Sequence, residues 1–233
     1  MTDAYERGDT DEATRQAVNA GPAVVEAGLT SAKLGTQLAA ISAAPLVEAR
    51  PELLPALATL AAGPDRRTAI PAAAAAKAIA RDLSLRELPD DIALDDVTTW
   101  RALFDSIARN ADHPIEARVL ALDTVASLAI VLEPQAMGFD LQVALGDRDP
   151  AYRAAAVALV PRPTPAKVRA ALAKAVLDDA DPNVALGAAQ ALCGDDRAAA
   201  LPLLGARGLD RVKKLVAKAP KRSTRDAARC LAR

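Results

Sequence analysis

Aromatic side chains are almost missing from this sequence. One Trp, two Tyr and two Phe make up 2% of 233 residues, although hydrophobic residues reach 52%. A core of this size ordinarily uses large rings to fill volume. Ala, Leu and Val must fill it here, which suits helices packed closely in layers, and Ala is the strongest helix former. Strand-like alternation is missing and β-branched runs are few, so no sheet is expected. No Gly-rich loop follows a strand-like run, which removes the nucleotide-binding fingerprints. No run approaches 18 apolar residues, so no membrane-spanning helix is expected. An excess of one charge is also lacking: 29 Lys+Arg oppose 30 Asp+Glu, a net charge of −1. That balance argues against a protein driven wholly by nucleic-acid electrostatics.

Residues able to carry chemistry are sparse. His113 is the single histidine and lies in a turn between Asp112 and Pro114. It has no His-x-x-His or Cys-x-x-Cys company, so a metal site is not expected. The acidic pairs Asp90-Asp91, Asp95-Asp96, Asp178-Asp179 and Asp195-Asp196 lack the spacing of a calcium loop. They fall in turns and at helix starts, where negative charge complements the helix dipole. No Gly-x-Ser-x-Gly elbow is present. The expectation is a protein that is not an enzyme, with no catalytic, cofactor-binding or metal-ligating residue and no cofactor.

What is present is a repeat. Asp149-Pro150 opens a segment with Arg153, Ala156 and Leu159 spaced by three. Asp149 can cap a helix and Pro150 fits its first position, where a missing N–H costs nothing. Residues three apart share a helical stripe. The triplet returns as Arg225, Ala228 and Leu231; Arg118 and Ala121 repeat its first two members. Ala185 and Ala188 repeat it without the Arg, behind Asp181-Pro182. The anchor positions 118, 153, 185 and 225 are 35, 32 and 40 residues apart, a step typical of helical arrays.

Asp-Pro, then Arg, then Ala three residues later in an Ala/Leu-rich helix resembles HEAT and HEAT-like (armadillo-type) repeats. The resemblance implies an all-α right-handed superhelix, a solenoid of about five to six antiparallel helix pairs, and a role in holding partners more often than in catalysis. It is best over 94–193, looser over 194–233, and degenerate over 1–93, giving one array over 1–233 that is irregular at its N-terminus. Arg118, Asp149, Pro150, Arg153, Asp181, Pro182 and Arg225 are the expected structural residues of the repeat. Three enzyme or carrier classes share such an architecture. Deoxyhypusine hydroxylase binds iron through several His–Glu pairs, which one histidine does not supply. The alkylpurine DNA glycosylases need a basic groove with aromatic rings, whereas the single Trp100 reads as a core residue. No residue here argues for the pigment handling of phycobilisome lyases.

In chain order, helices are expected over 11–20, 22–29, 31–44, 51–62 and 68–82. The acidic segment 84–96 is the clearest internal break. Further helices are expected over 95–109, 114–132, 134–145, 150–160, 164–177, 182–193, 198–205 and 208–218, with a last one from 223. Residues 207–233 hold ten basic side chains against Asp210 and Asp226, an excess of eight. Arg211, Lys213, Lys214, Lys218, Lys221 and Arg222 are the candidate contacts for an anionic partner, nucleic acid or an acidic surface. Aromatic interleaving is missing, which disfavours single-strand binding.

Function is read as a non-catalytic scaffold for another protein, through a concave face lined by second helices that include Arg118 and Arg153. Those arginines have a competing role inside the fold, bonding carbonyls or the turn Asp of a neighbouring repeat. Two further alternatives are an anionic partner on the basic stripe, and a structural domain of an exported or surface protein. The polar start 1–9 has no secretory character, so the chain reads as cytoplasmic. Cys193 and Cys230 stand near helix ends in the last two repeats, where stacking places a disulfide within reach. Such a bond would indicate a periplasmic or surface protein from which a signal was removed; the alternative is two buried thiols. Intact-mass analysis after alkylation separates them: a disulfide gives two added alkyl groups only after reduction, and thiols give them without it.

Overall fold

The structure, a computed structural model, describes residues 9–47, 50–133, 137–162, 164–193, 197–219 and 231. Among them are twelve α-helices and no strand. The chain divides into two compact units, Met1–Gly138 and Phe139–Arg233. The break expected at 84–96 lies inside the first unit, where the helices before and after it belong to one packed set.

In the first unit the helices are α1 (Thr10–Ala20), α2 (Pro22–Leu29), α3 (Leu34–Ala43), α4 (Leu54–Ala61), α5 (Arg66–Ser84), α6 (Leu94–Arg109) and α7 (Ile115–Leu132). Two 3-10 turns, Ala44–Leu46 and Arg50–Leu53, join α3 to α4. Alternate helices pack together: α1 on α3, α3 on α5, α5 on α7, and likewise α2 on α4 and α4 on α6. Consecutive helices bridge the two rows, notably α4 with α5 and α6 with α7. Helix α7 is buried nearly all round, from Ala117 through Leu122, Val125 and Leu128 to Ala129. It therefore has no single apolar stripe, as expected of a central helix. Trp100 and Phe104 of α6 are buried.

The second unit contains α8 (Leu141–Leu145), α9 (Pro150–Ala158), α10 (Ala166–Asp178), α11 (Pro182–Cys193) and α12 (Arg197–Lys218). Again alternate helices pack: α8 on α10, α10 on α12, and α9 on α11. Helix α12 is two helical pieces meeting at Gly205, whose φ of 56° and ψ of −171° break the helix. That break falls where the sequence divides 198–205 from 208–218.

Aspartate starts many of these helices. Asp9, Asp65, Asp140, Asp149 and Asp181 each accept a backbone N–H from the first turn, at 2.8–2.9 Å in the shortest bond of each. Each such cap is worth about 1 kcal/mol. Five of the 30 acidic residues are thus taken up by helix starts. No helix among the described residues is long and apolar enough to cross a membrane.

One local expectation is corrected. Of the helix expected over 134–145, Leu141–Leu145 is helical and residues 137–140 are not, because Gly138 takes a φ of 74° and Asp140 caps the helix from outside; 134–136 lie outside the described residues. In α9 the buried side chains are Tyr152, Ala156 and Val157, while Arg153 and Leu159 are half-buried. Leu159 ends the helix as its C-cap. The helix expected from 223 lies outside the described residues.

Gly138 also sits where a side chain does not fit. A Cβ there would stand 2.5 Å from Ala129 Cβ and 2.9 Å from the Val125 carbonyl oxygen. Gly138→Ala adds left-handed strain to that overlap and is expected to cost about 3 kcal/mol. Denaturant unfolding should show a lower midpoint with an unchanged slope; a midpoint like that of the parent chain would refute the account.

Candidate functional site

Two of the arginines singled out in the repeat, Arg118 and Arg153, are turned towards helix ends, as is Arg211 of the basic stripe. The last carbonyls of any helix lack intrahelical partners and carry the negative end of its dipole. Arg118, on α7, is only 2% exposed, and its Nε donates to the Ala108 carbonyl at 3.0 Å, in the last turn of α6. Arg153, on α9, donates through Nη1 to the carbonyls of Asp147 and Arg148, at 2.9 and 3.2 Å, in the turn after α8. Arg211, on α12, donates to the carbonyls of Leu177 and Asp179, where α10 ends.

Arg153 does more than close its own turn. Its Nε and Nη2 donate to the two carboxylate oxygens of Asp179, each at 2.8 Å, in the turn between α10 and α11. The side chains of Arg153 and Asp179 are 13% and 8% exposed. Asp179 Oδ1 also accepts the Asp181 N–H at 2.9 Å, and Asp181 then caps α11. Asp147 and Asp149 repeat that arrangement, with Asp149 N–H donating to Asp147 Oδ1 at 2.9 Å. The underlying signal is Asp-x-Asp-Pro at 147–150 and at 179–182, one 32-residue step apart. Hydrogen bonds from Arg153 hold the Asp179 carboxyl below the usual carboxylate range, with the Asp181 N–H and the charge of Arg211 acting in the same direction against the effect of burial. The same bonds raise Arg153.

The basic stripe is divided by this geometry. Arg211 is taken up at the end of α10, and exposed Arg207 lies 3.5 Å from Asp178. Lys214 pairs with Asp210 at 2.8 Å on the same helix face. Lys213 and Lys218 are exposed. Lys221, Arg222, Arg225 and Cys230 lie outside the described residues. Cys193 ends α11 and is not a free cysteine, while Cys230, its expected partner, lies outside the described residues. His113 stays in its turn, its Nε2 3.3 Å from Asn110 Nδ2.

A cavity of about 390 Å³ in the first unit was not anticipated. It is built where the Arg50–Leu53 turn, the last turns of α5 and the acidic loop come together. Asp82 of α5 is held there by two guanidinium groups: Arg50 bonds its Oδ2, and Arg86 its Oδ1 at 2.8 Å. Its contributors are separated by about forty residues in sequence, so no local spacing marks it.

Among the described residues, fold and geometry define an all-α protein whose helices pack against their neighbours, with arginines closing some of its turns. Comparison with known proteins adds no closer placement: no protein-family model matches the sequence, and no curated protein gives a significant match.

The Arg153–Asp179 pair gives a pH signature. Asp179 is depressed in the folded chain, so its contribution is full above its unfolded pKa, about 3.9, and is lost as pH falls through the lower folded value. Asp179→Asn leaves Arg153 largely desolvated with a poorer partner and is expected to cost about 3 kcal/mol at neutral pH. Chemical unfolding at a series of pH values should show a constant gap between the two proteins above about pH 5, narrowing below pH 4. A gap that widens in acid would contradict this assignment.

Proposed function

We propose that this chain is a non-catalytic HEAT-like helical-repeat scaffold that holds another protein. One observation carries the reading: the arginine-closed Asp-x-Asp-Pro turn occurs twice at a 32-residue step, within a unit whose alternate helices pack together. Side chains that would otherwise be candidates for surface chemistry are committed to joining one helix pair to the next. Such an arrangement repeats a surface at regular intervals, and each unit buries its apolar face against its neighbours. Function then resides in what the exposed faces bind rather than in a reacting centre.

A second reading, an anionic partner, is favoured by Lys213 and Lys218. Both are exposed on α12, and neither has an acidic partner among the described residues. Lys214 shares that helix, and Lys221 and Arg222 follow it in sequence.

A binding titration with duplex DNA and with RNA at low salt separates the readings. If the protein scaffold is correct, neither nucleic acid binds appreciably, while cross-linking in the native cell captures a protein partner in reproducible ratio. If the anionic-partner reading is correct, binding weakens steeply with salt, and the triple variant Lys213→Glu, Lys214→Glu, Lys218→Glu weakens it by about tenfold or more. Salt-sensitive binding lost in that variant, with no protein captured, would overturn the scaffold proposal.

A further inference from the structure

The cavity beside the acidic loop has a lining that selects by charge. Two cations, Arg50 and Arg86, meet four carboxylates, Glu52, Asp82, Glu87 and Asp91, an excess of two negative charges. The two arginines are both engaged with Asp82, and Arg50 donates in addition to the Pro45 carbonyl at 3.2 Å. An incoming anion would have to compete with Asp82 for them. Glu52, Glu87 and Asp91 are different: all three are exposed, and no ion pair or hydrogen bond engages them among the described residues. They are therefore available to a cation without loss of an existing contact.

The remaining lining is apolar. Ile79, Leu83 and Ile92 are buried and contribute to the walls with Pro51 and Pro89. Leu85, which precedes the lining residue Arg86 in sequence, is 77% exposed. A void of this volume lies at the lower end of the range for small-ligand sites. No group of three or more metal-ligating side chains converges among the described residues, so these carboxylates do not form a cage for a bare metal ion. A polar rim over apolar walls instead suits an amphipathic group whose stem is covered while its charged head stays at the mouth.

We infer that this cavity binds an organic cation, a guanidinium or ammonium head on a short apolar stem, with Glu52, Glu87 and Asp91 receiving the head and Ile79, Leu83 and Ile92 covering the stem. This inference is independent of the scaffold reading, since it rests on the first unit, whereas the repeated turn that carries that reading lies in the second. Two sources supply that chemistry: a free amine or guanidine, and an Arg or Lys side chain of a partner segment.

The test is methyl-detected NMR titration of the whole chain with n-butylguanidinium, with the peptide acetyl-Leu-Arg-Leu-amide, and with two controls, acetyl-citrulline-amide (neutral) and glutarate (anionic). Saturable shifts of the Ile79, Leu83 and Ile92 methyl signals with butylguanidinium or the peptide, and none with the controls, support the site. The variant Glu87→Gln, Asp91→Asn should keep its thermal unfolding temperature and weaken cation binding about tenfold, the loss of two exposed charge contacts. Tighter binding of the peptide than of butylguanidinium assigns the source to a partner segment, and the reverse assigns it to a free small molecule. Absence of saturable shifts with either cation, equal binding of acetyl-citrulline-amide or glutarate, or unchanged affinity in the variant would each overturn the proposal.

Discussion

The Arg153–Asp179 fork joins two turns that lie 32 residues apart. One guanidinium closes its own turn through the Asp147 and Arg148 carbonyls and grips the next turn through a carboxylate. Asp179 is held from a second side, because Arg211 of α12 bonds its backbone carbonyl. Two helix junctions of the second unit, α8–α9 and α10–α11, and helix α12 are therefore linked through one aspartate. The net gain from such a pair is modest, since both ions leave water to form it. Its structural effect is specificity of alignment: a planar fork fits one approach of the carboxylate, so it fixes how α9 meets the α10–α11 turn. An apolar contact between alanine-rich faces would tolerate sliding far more readily.

That need for alignment follows from the composition. The buried face of α5 includes Ala72, Ala73, Ala76 and Ala80, and that of α7 includes Ala117, Ala121 and Ala129. Methyl groups let these helices pack closely but offer little shape to set their register. Registry then comes from polar contacts at helix ends. In the first unit, buried Arg118 bonds the end of α6, and Arg66–Glu116 and Lys77–Asp123 tie α5 to α7. Gly138 supplies the complementary device, a backbone that approaches α7 too closely for any side chain.

Helix positions were legible because local signals agree. Asp before Pro marks α9 and α11, Ala-rich runs and apolar spacing mark all three of α9, α10 and α11, and their starts fall within two residues of expectation. Failures came where tertiary geometry decides. Nothing local distinguishes a helix over 134–145 from a bend at Gly138 followed by a cap at Asp140. In α9 the spacing puts Arg153 on one stripe with Ala156, but only the neighbouring turn shows which carboxylate its guanidinium binds. Likewise Arg211 reads as one more charge in a basic run, and only the position of the α10 terminus shows that it is engaged. The cavity was not legible at all, because its walls come from a 3-10 turn, the end of α5 and a loop beyond it.

A consequence concerns how charge should be counted in a chain of this kind. The formal excess of the C-terminal stretch treats Arg207, Arg211 and Lys213 as equal, yet the fold separates them into a contact at 3.5 Å, an engaged side chain and an exposed one. The acidic residues divide in the same way, since Asp65, Asp140, Asp149 and Asp181 cap helices while Glu52, Glu87 and Asp91 face solvent. Helix ends draw aspartate to their starts and arginine to their finishes. In a protein with this many short helices, that demand takes up part of both charge types. Any recognition by charge would therefore fall to residues outside the end contacts, which is why exposed Lys213 and Lys218, and the carboxylates at the cavity mouth, weigh more than the totals around them.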